Sequence, residues 1–169
     1  TDTTEITASG RGGMSGAAEF DLNANIADAA VLGQGLRGPV IATAKISRDE
    51  TENGYVSVQF TGPSTAVTLA GKIDPQLQFT GVVDADVANL STYQSLIGQS
   101  VSGGISARVS GSVMPDLSAF DATVSAQTTN LGVGNEIADI LLAGNGRLNA
   151  DASLNDGNLQ VSELDVSTA

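Results

Sequence analysis

The chain has no cysteine, no histidine and no tryptophan. Their absence excludes disulfides, Cys/His zinc sites, Cys–His nucleophile pairs and imidazole acid–base chemistry. Basic residues are scarce: seven Lys and Arg stand against nineteen Asp and Glu, a formal net charge of -12. Nucleic acid is therefore a poor partner, and none is expected, because neutralising phosphates takes clustered Lys and Arg. Aromatics make up only 4% of the chain, too few for a large aromatic core. No apolar run approaches the eighteen or so residues of a membrane-spanning helix, and no basic-then-apolar signal segment is visible. The first residues are Thr1-Asp2-Thr3, so the expectation is a piece of a longer protein whose membrane anchor lies outside it.

What is present is small and β-branched. Hydrophobic residues reach 41% and charged residues only 15%, which argues for a folded chain rather than a disordered acidic one. Apolar residues alternate with polar ones along most of the length, the period of a sheet with one wet face. Phe20, Leu22, Ala24 and Ile26 alternate with Asp21, Asn23 and Asn25; Val40, Ala42, Ala44 and Ile46 follow. The habit continues through Val56, Val58 and Phe60, then Val67, Leu69, Gly71 and Ile73, then Leu77, Phe79, Gly81, Val83, Ala85 and Val87. Four further segments repeat it between residues 101 and 166. Asn53-Gly54 and Asp156-Gly157 are tight-hairpin pairs, and Pro63, Pro75 and Pro115 mark places where a strand must end or lie at an edge.

Three stretches break the alternation: 27–33, 91–98 and 135–144. Each offers about two helical turns, with Asp28, Ser91 and Asn135 as candidate N-caps and Gly33, Gly98 and Gly144 as stops. They expose an internal repeat, since GQGLRGPVIA (33–42) aligns with GQSVSGGISA (98–107), and AGNGRLNA (143–150) is a looser copy. Phe20, Phe79 and Phe120 open the strands upstream. The chain is expected to be one repeat-built domain over 1–169, with units near 1–74, 75–116 and 117–169.

Gly33, Gly35 and Gly38 match the dinucleotide pattern G-x-G-x-x-G. A working loop precedes a long helix whose N-terminus meets the pyrophosphate. Here Pro39 and an alternating strand follow, and the repeat copy has Ser100 at the second glycine, so the glycines read as a helix stop and a turn. Asp21, Asn23 and Asn25 begin like a calcium loop, but Ile26 and Leu32 occupy the positions needing Gly and Glu. Asp49, Glu50 and Glu52 read as a solvated turn, and Lys45 and Lys72 as isolated strand residues turned outward. No catalytic constellation emerges, so the expectation is a protein that is not an enzyme and carries no cofactor.

LIGQSVSGGISARVSG (96–111), GSVMPDLSAFD (111–121) and LLAGNGRLNADASLNDGNLQVSELDV (141–166) resemble the repeat region of the TamB proteins, within the wider AsmA-like family, and the resemblance covers roughly residue 20 to the end. It implies a long folded-over sheet (a β-taco) in the bacterial periplasm with a hydrophobic groove and a few short helices. It also implies an inner-membrane anchor elsewhere in the full-length protein, phospholipid acyl chains as cargo, and work with an outer-membrane barrel of the TamA type in outer-membrane protein assembly. The alternating faces support the groove independently. Its expected lining is Phe20, Leu22, Ile26, Val56, Val58, Phe60, Val67, Leu69, Leu77, Phe79, Val83, Ile105, Val109, Val124, Leu148 and Leu154, with Ala24, Ala42, Gly71, Gly81, Gly103 and Ala107 keeping it open. A β-solenoid scaffold with a dry interior, or an edge that templates nascent outer-membrane strands, would share the same pattern.

Overall fold

The computed structural model describes residues 4–13, 16–33, 35–155 and 157–168. Ten strands form one open sheet in strict sequence order, each antiparallel to the next: β1 (Glu5–Gly12), β2 (Ala18–Ile26), β3 (Val40–Arg48), β4 (Gly54–Gly62), β5 (Thr65–Ile73), β6 (Phe79–Val87), β7 (Ser102–Val113), β8 (Phe120–Gly132), β9 (Asn145–Asn155) and β10 (Asn158–Thr168). The fold is mainly β, as the alternation requires. Every pairing is antiparallel, so the sheet is an open meander and not the stacked parallel coil of a β-helix.

The two ends of the strands are built differently. After β2, β6 and β8 the chain makes helical connections: a 3₁₀ turn (Ala29–Val31), a 3₁₀ turn (Leu90–Tyr93) running into α1 (Gln94–Ile97), and α2 (Glu136–Leu142). All three lie at one end of the sheet, because the strands alternate in direction. Asp28 caps the first through Ala30 N–H at 3.1 Å, and Asn135 caps α2 through Ile137 N–H at 3.2 Å. The middle cap is Asn89, which accepts from Ser91 N–H at 3.0 Å, rather than Ser91 itself. The first, of three residues, is shorter than two turns, whereas the second runs over four 3₁₀ and four α-helical residues, about two turns. Gly98 stops α1 in the left-handed conformation at φ 71°. Gly38, just ahead of β3, and Gly103, the second residue of β7, are equivalent in the repeat and both have positive φ (102° and 88°). The glycines of the dinucleotide-like string thus shape the way into a strand, with no helix following them.

The opposite end carries tight turns headed by acidic or small residues. Between β3 and β4 the turn is not a two-residue Asn-Gly hairpin. Glu52 N–H returns to Asp49 O at 3.2 Å, Glu52 takes φ 64°, and Asp49 N–H closes on Asn53 O at 2.9 Å. Asp74 to Gln78 repeats the pattern with Leu77 at φ 67°. Leu77 therefore belongs to the turn, 62% exposed, and not to β6, which starts at Phe79; the alternation was extended two residues too far, past Pro75. Asp156 of the expected last hairpin lies outside the described residues.

Asp49 organises its turn. It accepts from Thr51 Oγ1 at 2.7 Å, from Thr51 N–H at 2.9 Å and from Asn53 N–H at 3.0 Å, and Tyr55 Oη donates to it at 3.1 Å. The Thr51 hydroxyl foremost, with the Asn53 N–H and amide, lowers its pKa to about 2, while the Tyr55 phenol is raised by donating to it. The folded value lies below the unfolded one of about 3.9. The turn's contribution is therefore complete above that value and is lost as pH falls through about 2. A carbon-detected titration of the Asp49 carboxyl should give a midpoint near 2; a midpoint near 3.9 would show that these hydrogen bonds do not form in solution.

The ladder has two irregularities, and the second keeps the apolar face aligned. β7 and β8 shift register between Ser102 and Gly104. In β10 the register shifts between Val161 and Glu163. Strict alternation from Leu159 and Val161 would turn Leu164 and Val166 to the polar side; the bulge at Ser162 returns them to the apolar one.

Candidate functional site: an uncovered apolar face

Cross-strand partners arrange the apolar side chains in rows running across the sheet. The central row is Ala8, Leu22, Ala44, Val58, Leu69, Val83, Val109, Val124, Ala150 and Leu164. On its helical side lie Ile6, Ala24, Ala42, Phe60, Val67, Ala85, Ala107, Ala126, Leu148 and Val166. On the other side, Phe20, Ile46 and Val56 lead into Gly71, Gly81 and Gly111. Beyond these, Ile73, Phe79, Val113, Phe120, Leu154 and Leu159 form a row by the tight turns. Ile26 with Val40, and Val87 with Ile105, make the row nearest the helical connections. The reverse face is polar, as in the row Asn23, Thr43, Gln59, Thr68, Asp84, Arg108, Ser125, Asn149 and Asp165.

All the expected lining residues except Leu77 fall on this one face. The expectation about small residues needs correction, however. Gly71 and Gly81 do not leave open space: the Phe79 ring lies against both, where a Cβ would stand. Phe79 thus fills the gap that the paired glycines leave. Gly103 is no face residue; it sits at the β7 irregularity, where the carbonyls of Thr129 and Asn130 occupy the place of a side chain. Phe20 stands one row further inward than Phe79 and Phe120, so the three repeat phenylalanines are not equivalent.

Among the described residues no second layer covers the face away from the helical rim. Among the described residues only Ala29, Leu36, Val40 and Ala126 are buried apolar residues. The total surface is 10798 Å², against roughly 7,700 Å² for a compact protein of this mass. Nine interstrand spacings of about 4.8 Å and nine-residue strands give a wall of about 43 by 30 Å. Soluble monomers rarely leave apolar patches above a few hundred Å² without a use for them. Among the described residues, local cover comes at the helical rim. There Leu36 packs with Ala29 and Val40, joined by Ile26, Phe60 and Tyr93, and Tyr93 Oη donates to Pro63 O at 2.6 Å. Ile26 therefore serves this rim cluster more than the open wall.

The rim itself exposes Val31, Leu32, Leu96, Ile97, Ile137 and Ile140. On the polar face, a depression of about 440 Å³ is lined by Asp84, Asp86, Ser106, Arg108 and Gln127 among others. Arg108 there is held by both Asp84 oxygens at 2.8 and 3.0 Å, so its charge is already matched.

Ile6 of β1 and the apolar residues of β10 also belong to the face but were not among the expected lining. β1 has a single large apolar side chain, which leaves too weak an alternation to recognise; β10 reads as alternating, but its bulge hides which of its residues face the wall. No family model matches the sequence, no curated protein matches it, and no solved structure matches the fold.

Proposed function

We propose that the apolar face is a conduit for phospholipid acyl chains in the bacterial periplasm, as in the TamB-like proteins the sequence resembles. In a longer, inner-membrane-anchored protein it would serve transport between the two membranes and, with a TamA-type barrel, outer-membrane protein assembly. The observation that carries the reading is the continuity of the wall: the central row runs across all ten strands without a charged residue.

Energetics favour such a surface. Moving an acyl chain through water costs about 0.8 kcal/mol per CH₂, or roughly 12 kcal/mol for a ~16-carbon chain. A wall of Val, Leu, Ile and Ala lowers that barrier at every step. It contains no polar anchor deep enough to trap the lipid, so movement needs no energy-consuming site. Strands about 30 Å long match the ~30 Å hydrocarbon thickness of a bilayer, which leaves ample length for a chain lying along a strand. The acidic net charge suits the task as well, since it repels anionic headgroups from the polar exterior while the tails engage the wall.

The test uses the purified chain with a photoreactive residue at Leu69 or, separately, at Thr68, mixed with phosphatidylethanolamine vesicles and irradiated. Leu69 lies in the central apolar row and Thr68 on the reverse face. Phospholipid captured at 69 and not at 68 is the expected result. Equal capture at both, or at neither, would refute the conduit.

A further inference from the structure

The three helical connections form one continuous ridge along their rim of the sheet. The Leu96 side chain lies against Gly33, where a Cβ would stand, and so joins the second connection to the first. The Ser100 carbonyl lies in the same way against Gly134, which joins the second to the third. With strands about 4.8 Å apart, the ridge runs about 29 Å from the β2–β3 connection to the β8–β9 connection. Val31, Leu32, Leu96, Ile97, Ile137 and Ile140 stand on it, each 50–75% exposed. Charge is placed so as to leave this rim apolar. Residues 87–107 include no charged side chain. Asp28 Oδ1 accepts from Ala30 N–H at 3.1 Å and from Gly38 N–H at 3.2 Å, and Asp139 Oδ1 accepts from Val133 N–H at 2.6 Å. Both carboxylates therefore serve the backbone of their own connections. The opposite rim is acidic, with Asp49, Glu50, Glu52, Asp74 and Asp116 in its turns.

We propose that this ridge seats the protein on the surface of a zwitterionic phospholipid bilayer, its aliphatic side chains entering the boundary between headgroups and acyl chains. Binding of that kind scales with the apolar area buried and needs no pocket. A zwitterionic surface fits because a chain of charge -12 is repelled by an anionic one. A protein partner fits less well. Such interfaces draw on Trp, Tyr and Arg, whereas the large apolar side chains exposed here are Val, Leu and Ile, and Tyr93 is turned inward to Pro63 O. Docking by the ridge sets the strands running toward the membrane surface. Ile26 and Val40, in the row nearest the ridge, are taken up by the rim cluster. Val87 and Ile105 are therefore the first part of the wall that an acyl chain meets. That handover rests on the conduit reading; the docking itself does not.

The test floats the purified chain with phosphatidylcholine vesicles through a density gradient. The triple variant Val31→Gln, Ile137→Gln and Ile140→Gln changes no charge, and circular dichroism checks that it folds. Its partition onto the vesicles should fall about tenfold or more, because the apolar area of three side chains is lost. Leu32→Gln with Ile97→Gln, on the first two connections, repeats the measurement with other side chains and the same expectation. The control, Leu77→Gln with Leu117→Gln, removes side chains 62% and 65% exposed on the opposite rim and should float like the unmodified chain. An unmodified chain that does not float, or ridge variants that float as well as it does, overturns the proposal. Equal loss in the control overturns it too, as do lipid-free dimers that the triple variant abolishes, which would assign the ridge to a second copy. Diheptanoyl phosphatidylethanolamine, dispersed as monomers, reaches the wall without a bilayer and separates the two readings. Its capture by a photoreactive residue at Leu69 in a chain that does not float sinks the docking and leaves the conduit; flotation without capture does the reverse.

Discussion

Gly111→Ala should destabilise the sheet by about 3 kcal/mol, the sum of backbone strain and overpacking that each cost roughly 1–3 kcal/mol. Gly111 lies in β7 between Gly81 and Ala122 at φ 155°. A methyl group there runs into the carbonyl oxygen of Asp121 and approaches Ala122 Cα to 2.9 Å. Both obstacles are backbone, so no side-chain rotation relieves them. The matched control is Gly54→Ala, where the nearest atom is Ile73 Cβ at 3.5 Å and the change should be close to neutral. Thermal unfolding should separate the two by roughly 6–12 °C at 2–4 °C per kcal/mol. Equal midpoints would mean that β7 and β8 do not approach so closely in solution.

Val83→Lys should reduce phospholipid capture at Leu69 at least tenfold while the protein remains folded. Val83 pairs with Leu69 and Val109 in the central row. An acyl chain passing there would have to desolvate an ammonium group, and it would lose contacts worth about 0.8 kcal/mol per CH₂. The fold itself tolerates the change, because the wall is uncovered and a lysine stem can carry its charge to water. Thr68→Lys, on the reverse face, should leave capture unchanged. Undiminished capture in Val83→Lys would exclude the central row as the lipid path; unfolding of the variant, read by circular dichroism, would instead show that the face is packed against something in the folded state.

The face of nearly every central strand was legible from the residues. Val56, Val58 and Phe60 alternate with Ser57 and Gln59, and a one-residue slip would have exchanged the two sets; the pairing keeps them apart. The prolines at 63, 75 and 115 ended strands because proline cannot join the hydrogen-bond ladder. Leu77 was misplaced because a non-glycine residue at positive φ leaves no mark in the hydrophobic pattern. The pattern makes Gly71 and Gly81 look like empty space, and only the rotamer of Phe79, across the pair from Gly71 and two residues before Gly81, shows that the space is filled.

Composition and period by themselves determined that this chain forms a sheet with one apolar and one polar face, that helices are few and short, and that thiol and imidazole chemistry are absent. These follow from local physics: a two-residue period, turn-forming glycines and prolines, and missing functional groups. Tertiary structure alone decided that the strands pair in sequence order as an open antiparallel meander, that the helical connections gather on one rim, and that the bulge at Ser162 holds the apolar rows of β10 in line. It also decided that, away from the helical rim, nothing from the described chain covers those rows. Such features depend on which segments meet across many residues, and the alternation of a strand is the same whatever lies beside it or above it.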